Sequence, residues 1–203
     1  MSAAHVSPFT ARALEPDARV VMHQIPWGTY VAMRDMLDDA GSGVRLTYLR
    51  GTLEIMSPSR DHEGLKTLLA RLVEAWADEV GVELEGFGST TFRREARERG
   101  LEPDECYSIG ELGDVPDIAI EVVVSSGLVD KLEVYRGLAV PEVWVWRDDV
   151  LTIYRLVEDA YQARARSEVV PGLDVALLAS FVRADAKQSA AVRAYREQIR
   201  VRG

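Results

Sequence analysis

Pro116-Asp117-Ile118-Ala119-Ile120-Glu121-Val122-Val123-Val124-Ser125 is the stretch on which the fold turns. From Ile118 to Val124 every residue but one is apolar, and most are β-branched, as expected of a central strand covered on both faces. The exception is Glu121. An unpaired carboxylate buried at such a position costs several kcal/mol, so Glu121 must be neutralised, paired or bound to a metal. Upstream, Asp104–Gly110 reads as a second strand, connected through the turn-like Glu111-Leu112-Gly113-Asp114. In a hairpin of these two strands residue i faces residue 225 minus i, which sets Asp104 opposite Glu121. Facing side chains lie about 4.5 to 5.5 Å apart. Two anionic oxygens held so close repel unless one is protonated or a cation lies between them. Asp117 shares Glu121's face, but four residues at about 3.3 Å each put it roughly 13 Å away, beyond the reach of one ion.

Mg²⁺ binds oxygen at about 2.0 to 2.1 Å and usually keeps several waters, so two carboxylates from neighbouring strands are a sufficient protein contribution. Such an ion polarises a phosphoryl oxygen and acidifies a bound water, the two requirements of phosphodiester hydrolysis. Lys131 falls early in the helix expected to leave the central strand, where its ammonium would orient that water and offset developing charge. Tyr135, one turn later on the same face, is placed to hold the lysine or a phosphate.

Around this centre the pattern is mixed. Residues 1–26 show little periodicity and contain Pro8, Pro16 and Pro26, which suggests a loosely ordered arm. Trp27 to Ala40 suits a short helix ended by Gly41, and Val44–Leu49 with Thr52–Met56 suits a hairpin about Arg50-Gly51. The clearest helix has Leu65, Leu68, Leu69, Leu72, Val73, Trp76 and Val80 on one face, after capping residues in Ser57-Pro58-Ser59-Arg60-Asp61. Short strands are expected at Val82–Glu85, Thr90–Arg94, Glu142–Trp146 and Leu151–Leu156, a helix over Leu128 to Val140, and two helical pieces between Asp174 and Arg202. This order predicts an α/β or α+β domain. Trp144 and Trp146 share one sheet face, for packing or a dimer surface, and Cys106 reads as a small strand filler.

The chain has 203 residues, 47% hydrophobic and 28% charged, with a net charge of −9. That suits one folded domain, and the overall charge has the wrong sign for binding nucleic acid by electrostatics alone. Basic residues are concentrated locally, however: Arg93, Arg94, Arg97 and Arg99 in one cluster, and six Lys or Arg against two acids from Arg183 to Gly203. Either cluster could touch phosphates or be a solvated face. No run approaches the roughly 20 apolar residues that span a bilayer, the start lacks a basic and apolar leader, and one cysteine suits a reducing compartment; a cytoplasmic location without membrane association is the expectation.

Pro103-Asp104, then Pro116 to Ser125, then Lys131 and Tyr135, and finally Pro141-Glu142-Val143-Trp144-Val145 resemble the Uma-two family of restriction-endonuclease-like proteins. Arg50-Gly51-Thr52-Leu53-Glu54-Ile55-Met56-Ser57-Pro58-Ser59, followed by His62, resembles that family's opening motif. The resemblance implies a mixed β-sheet core flanked by helices over residues 27–182; the charge and helical pattern of residues 183–203 suggest a basic helical extension beyond it. The resemblance also implies the metal-dependent chemistry of the PD-(D/E)XK superfamily. Carried over by likeness, Asp104 matches the motif aspartate and Glu121 the motif acid. The motif lysine position, two residues after Glu121, is Val123, and Lys131 matches a lysine moved to the following helix. By the same likeness Glu54 is an additional acid holding the metal through water. The expected activity is Mg²⁺-dependent nucleic-acid hydrolysis, with Mn²⁺ as substitute and DNA as substrate, by a homodimer. His62, Tyr135, Arg93 and Arg94 are candidate substrate contacts. The alternative is a non-catalytic interaction or DNA-binding module that keeps the nuclease fold.

Overall fold

The computed structural model describes residues 13–110, 113–125 and 129–202. In chain order these form β1 (Ala18–Met22), α1 (Trp27–Asp39), β2 (Arg45–Leu49), β3 (Thr52–Ser57), α2 (Arg60–Val80), β4 (Leu84–Gly86), β5 (Phe92–Arg94), β6 (Arg99–Leu101), β7 (Glu105–Ile109) and β8 (Ile118–Val123). There follow α3 (Lys131–Leu138), β9 (Glu142–Arg147), β10 (Val150–Val157), β11 (Ala160–Arg164), α4 (Val175–Ser180) and α5 (Gln188–Arg202). The strands make two sheets, an antiparallel one in the order β1-β3-β2-β6-β5 and a mixed one in the order β11-β10-β9-β8-β7-β4. This is an α+β fold consistent with a restriction-endonuclease-like core.

In the mixed sheet β7 and β8 are antiparallel, with Glu105 opposite Ile120, Cys106 opposite Ala119 and Tyr107 opposite Ile118. Every pair sums to 225, the expected register; Glu111 and Leu112 of the expected turn, and Ser126 to Leu128 at the expected helix start, lie outside the described residues. β8 then crosses through α3 to the parallel strand β9. Alternation divides the strand between two cores. Ile118, Ile120 and Val122 pack with Trp144 and Trp146 against Leu65, Leu68, Leu69, Leu72, Val73 and Trp76 of α2. On the opposite side Ala119 and Val143 pack against Val134, Tyr135 and Leu138 of α3. Glu121, in phase with Ala119, takes the α3 side.

Two helix starts bear on the site. Ser59 caps α2 by accepting from His62 N–H (3.2 Å), which holds His62 in the first turn. Asp130 caps α3 by accepting from Glu133 N–H (3.1 Å), so Lys131 is the first residue of that helix.

Several expectations need correction. Residues 18–22, expected in the loose arm, form β1, paired with β3 from Ala18 opposite Ser57 to Met22 opposite Leu53; residues 1–12 lie outside the described residues. The basic C-terminal segment, expected as a helical extension, forms α5 and packs on the core. Tyr195 of α5 is buried in the main core, and Arg196 and Arg200 pair with Asp78 and Glu79 of α2 at 2.6 to 2.8 Å. Trp144 and Trp146 are likewise buried inside the chain, so the features that suggested a homodimer are covered within one chain.

Candidate active site

Glu121 is 2% exposed and both its oxygens are engaged: Lys131 Nζ donates to Oε2 and Tyr135 Oη to Oε1, each at 2.5 Å. The spacing of α3 explains the double contact, since residues four apart lie on one helix face and here both point at β8. Asp104, fully buried, uses Oδ2 to accept from Val122 N–H at 2.7 Å, the backbone group next to Glu121. Asp104, just before β7, and Glu121, in the middle of β8, are therefore neighbours across the two strands.

Asp104 Oδ1 faces two cations. His62 Nε2 lies 3.0 Å away and Arg45 Nε 3.6 Å away. Both contacts are ionic, neither being aligned as a hydrogen bond, and Oδ1 has no hydrogen-bond partner among the described residues. Beyond His62 the network continues. His62 Nδ1 is 3.3 Å from Asp17 Oδ2, Asp17 Oδ1 accepts from Ser59 N–H (2.9 Å), and Arg19 contacts Asp17 at 3.0 Å and Glu54 at 2.7 Å. Four acids (Asp17, Glu54, Asp104, Glu121) are thus interleaved with four bases (Arg19, Arg45, His62, Lys131).

Burial and pairing act in opposite directions here. Burial pushes the Asp104 carboxyl up, but His62, Lys131 and Arg45 outweigh it and hold Asp104 well below the usual carboxylate range. For Glu121 burial prevails over the Lys131 contact, and the nearby Asp104 charge adds to the rise. Two carboxylates with affinities driven apart in this way are what a shared site imposes. Burial lowers His62, but Asp104 and Asp17 overcome it and raise the ring to about 9, so it is protonated at neutral pH. Burial also lowers Lys131, and Glu121 with Asp104 reverses that, keeping it a cation.

A cleft of about 580 Å³ opens onto this centre, with Glu121, Lys131 and Arg19 at one end and Val145, Arg147 and Tyr154 along β9 and β10. Lys131 is 20% exposed to it, whereas Asp104 does not line it. Nζ carries three donors, and Glu121 is its one hydrogen-bond partner among the described residues, so donors remain for a water or an anion in the cleft.

Among the described residues no three or more His, Cys, Asp and Glu side chains converge as a metal cage. The donor set therefore does not suit zinc, which takes at least three protein ligands. Two adjacent carboxylates, one with an oxygen that accepts no hydrogen bond and is held only by ion pairs, do suit a hard cation that keeps its own waters.

Glu54 is held by Arg19 rather than standing free, and Tyr135, with a fully buried ring, spends its hydroxyl on Glu121 instead of reaching lysine or phosphate. His62 is neither an exposed histidine nor in the cleft, but a buried bridge between Asp17 and Asp104. Arg93 and Arg94 lie on β5, the edge of the other sheet, and do not line the cleft; Arg94 donates to Gly137 O and Arg93 approaches Asp35 at 4.0 Å. Arg99 of the same basic cluster is buried against Glu133. Asp17, Arg19 and Arg45 were not singled out from sequence. The first two sit in a segment whose prolines obscure a five-residue strand, and only Arg45's place on a strand entering the core hinted at its role.

No helix among the described residues is long and apolar enough to cross a membrane. No curated protein matches the chain. One family model does match, from residue 27 to residue 184, and its description reads "Uma2: Putative restriction endonuclease". With most of its length covered, and with this fold, the chain belongs to the Uma2 family.

Proposed function

We propose that this protein is a Mg²⁺-dependent nuclease that hydrolyses phosphodiester bonds, with DNA as substrate. The observation behind this reading is the meeting of Asp104 and Glu121 across β7 and β8 with the Lys131 ammonium on Glu121 at the end of an open cleft. Asp104 and Glu121 would hold the ion, which supplies a polarised phosphoryl oxygen and an acidified water. Lys131 has donors left to orient that water and to neutralise charge on the phosphoryl oxygens as the bond breaks. Tyr135 fixes the Glu121 carboxylate from the buried side, so the carboxylate need not reorganise during the reaction. Arg19, 15% exposed at the cleft, adds a second cation near the same point.

The test is Mg²⁺-dependent cleavage of plasmid and oligonucleotide DNA by the purified protein and by Glu121→Ala, with circular dichroism to verify folding. Cleavage by the native chain and none by the folded variant is expected; equal cleavage by both removes the assignment.

The alternative, a non-catalytic module that keeps the nuclease fold, is favoured by the full occupation of both Glu121 oxygens within the chain. It requires no heat of Mg²⁺ or Mn²⁺ binding in calorimetry and a thermal midpoint indifferent to EDTA.

A further inference from the structure

Asp17 and Arg19 precede residue 27, where the match to the family model begins, yet both are wired into the centre described above. Asp17 has a fully buried side chain and serves four partners: Ser59 N–H at the start of α2, His62 Nδ1, Arg19 Nη2 and, at 3.4 Å, Ser125 Oγ. Through His62 it backs the 3.0 Å contact to Asp104. Arg19 spreads its guanidinium over three elements. Nη1 donates to Glu54 on β3 (2.7 Å), Nη2 to Asp17 (3.0 Å) and to Ser125 O (3.3 Å), and Nε lies 3.4 Å from Ser125 Oγ, just beyond the end of β8. β1 itself adds only the edge of a sheet. The charged side chains of Asp17, just before β1, and of Arg19 on it reach further than that edge, one to each acid of the central pair: Asp17 by way of His62 to Asp104, Arg19 by way of Ser125 to the strand that carries Glu121.

We propose that Asp17 and Arg19 are positioning residues of the Asp104–Glu121 site, so that this segment, outside the family-matched stretch, is a working part of the site. The inference rests on the nuclease reading for its kinetic readout but also has a readout of its own in metal affinity. Outer partners of a metal-binding carboxylate or histidine are typically worth about 10- to 100-fold in metal affinity or activity. Asp17→Asn keeps the shape and removes the charge that steadies His62. Arg19→Gln removes the fork that joins Glu54 to Ser125. Arg19→Lys keeps the charge but not the planar fork.

The experiment compares full-length Asp17→Asn, Arg19→Gln and Arg19→Lys with Arg196→Gln, which breaks an ion pair between α5 and α2 far from the cleft. Mn²⁺ affinity by calorimetry, kcat and KM on labelled DNA, and thermal midpoint are read for each. Asp17→Asn and Arg19→Gln should lose about 10- to 100-fold in Mn²⁺ affinity or kcat with KM unchanged, Arg19→Lys should recover part of the loss, and Arg196→Gln should change only the midpoint. If either site variant loses no more kcat and Mn²⁺ affinity than Arg196→Gln does, the inference falls while the nuclease reading stands. If Arg19→Gln does not fold, Asp17→Asn and Arg19→Lys decide by the same criteria. A native chain that cleaves nothing but binds Mn²⁺ refutes the nuclease reading, and the affinities alone then decide the inference. A native chain that neither cleaves nor binds Mn²⁺ overturns both.

Discussion

Lys131 reaches Glu121 from the first turn of α3, its Nζ 2.5 Å from Oε2. On β8 the residue two positions after Glu121 is Val123. A residue two positions along a strand shares the acid's face but stands about 6 to 7 Å further on. A lysine delivered by the crossover helix meets the carboxylate head-on.

The pair is interdependent, and removing one member should show it. Lys131→Met leaves a buried carboxylate with one partner fewer, at a cost of about 1 to 3 kcal/mol, moderated because the lysine end opens to the cleft. Glu121→Gln combined with Lys131→Met should recover much of that loss, since no isolated charge remains. Urea unfolding of the two single variants and the double variant measures the coupling. Strict additivity would mean the 2.5 Å contact contributes nothing. Cleavage should be absent from all three.

Asp17 gives a prediction for acid pH. Its carboxyl is lowered from 3.8 to about 2: burial raises it, but the hydrogen bonds from His62 and Ser59 and the charges of His62 and Arg19 outweigh that effect. A depressed folded-state value stabilises the fold above the unfolded-state value, and the stability is lost as pH falls through the folded-state one. Native minus Asp17→Asn stability should therefore be about 2 kcal/mol near neutrality, decline below pH about 4 and vanish below about 2. Denaturation midpoints of both proteins across that range provide the check; a difference independent of pH contradicts it.

Much of the centre was legible beforehand because it is local. The hairpin register follows from turn position, the buried charge from the apolar run around Glu121, and the α3 face from a spacing of four between Lys131 and Tyr135. What escaped is non-local. Nothing near Arg19 in sequence signals that it will meet Glu54 and Ser125, residues 35 and 106 positions away. β6 was missed because Arg99-Gly100-Leu101 is short and carries a charge, and the charge is tolerated only because Glu133 of α3 neutralises it. α5 misled for a related reason: a helix whose basic side chains pair with Asp78 and Glu79 looks in sequence like a solvated one.

Because α5 is part of the core, its one buried anchor should be costly to remove. Tyr195 packs in the main cluster and against Phe181 at a ring-centroid distance of 5.3 Å. Tyr195→Ala should destabilise by about 3 to 5 kcal/mol. An exposed extension would lose almost nothing, so chemical denaturation separates the two cases.

Gly137 offers the sharpest departure from general expectation. Glycine inside a helix is usually improved by alanine, by about 1 kcal/mol. Here a Cβ on Gly137 would lie 1.8 Å from Arg99 Cδ and 2.3 Å from Nε, because the Arg99 side chain crosses α3 at this residue. Arg99 cannot simply swing aside: it is buried, donates to Glu133 O at 3.1 Å and pairs with Glu133 Oε1 at 2.5 Å. Displacing it breaks the tie between β6 and α3, the helix that carries Lys131. Gly137→Ala should therefore destabilise by about 1 to 3 kcal/mol, as overpacking does, and should reduce cleavage more than Tyr195→Ala does when both retain a folded state. A stabilised Gly137→Ala variant would mean that Arg99 does not cross the helix where the structure has it, and the proposed route by which α3 is held against β8 would have to be abandoned.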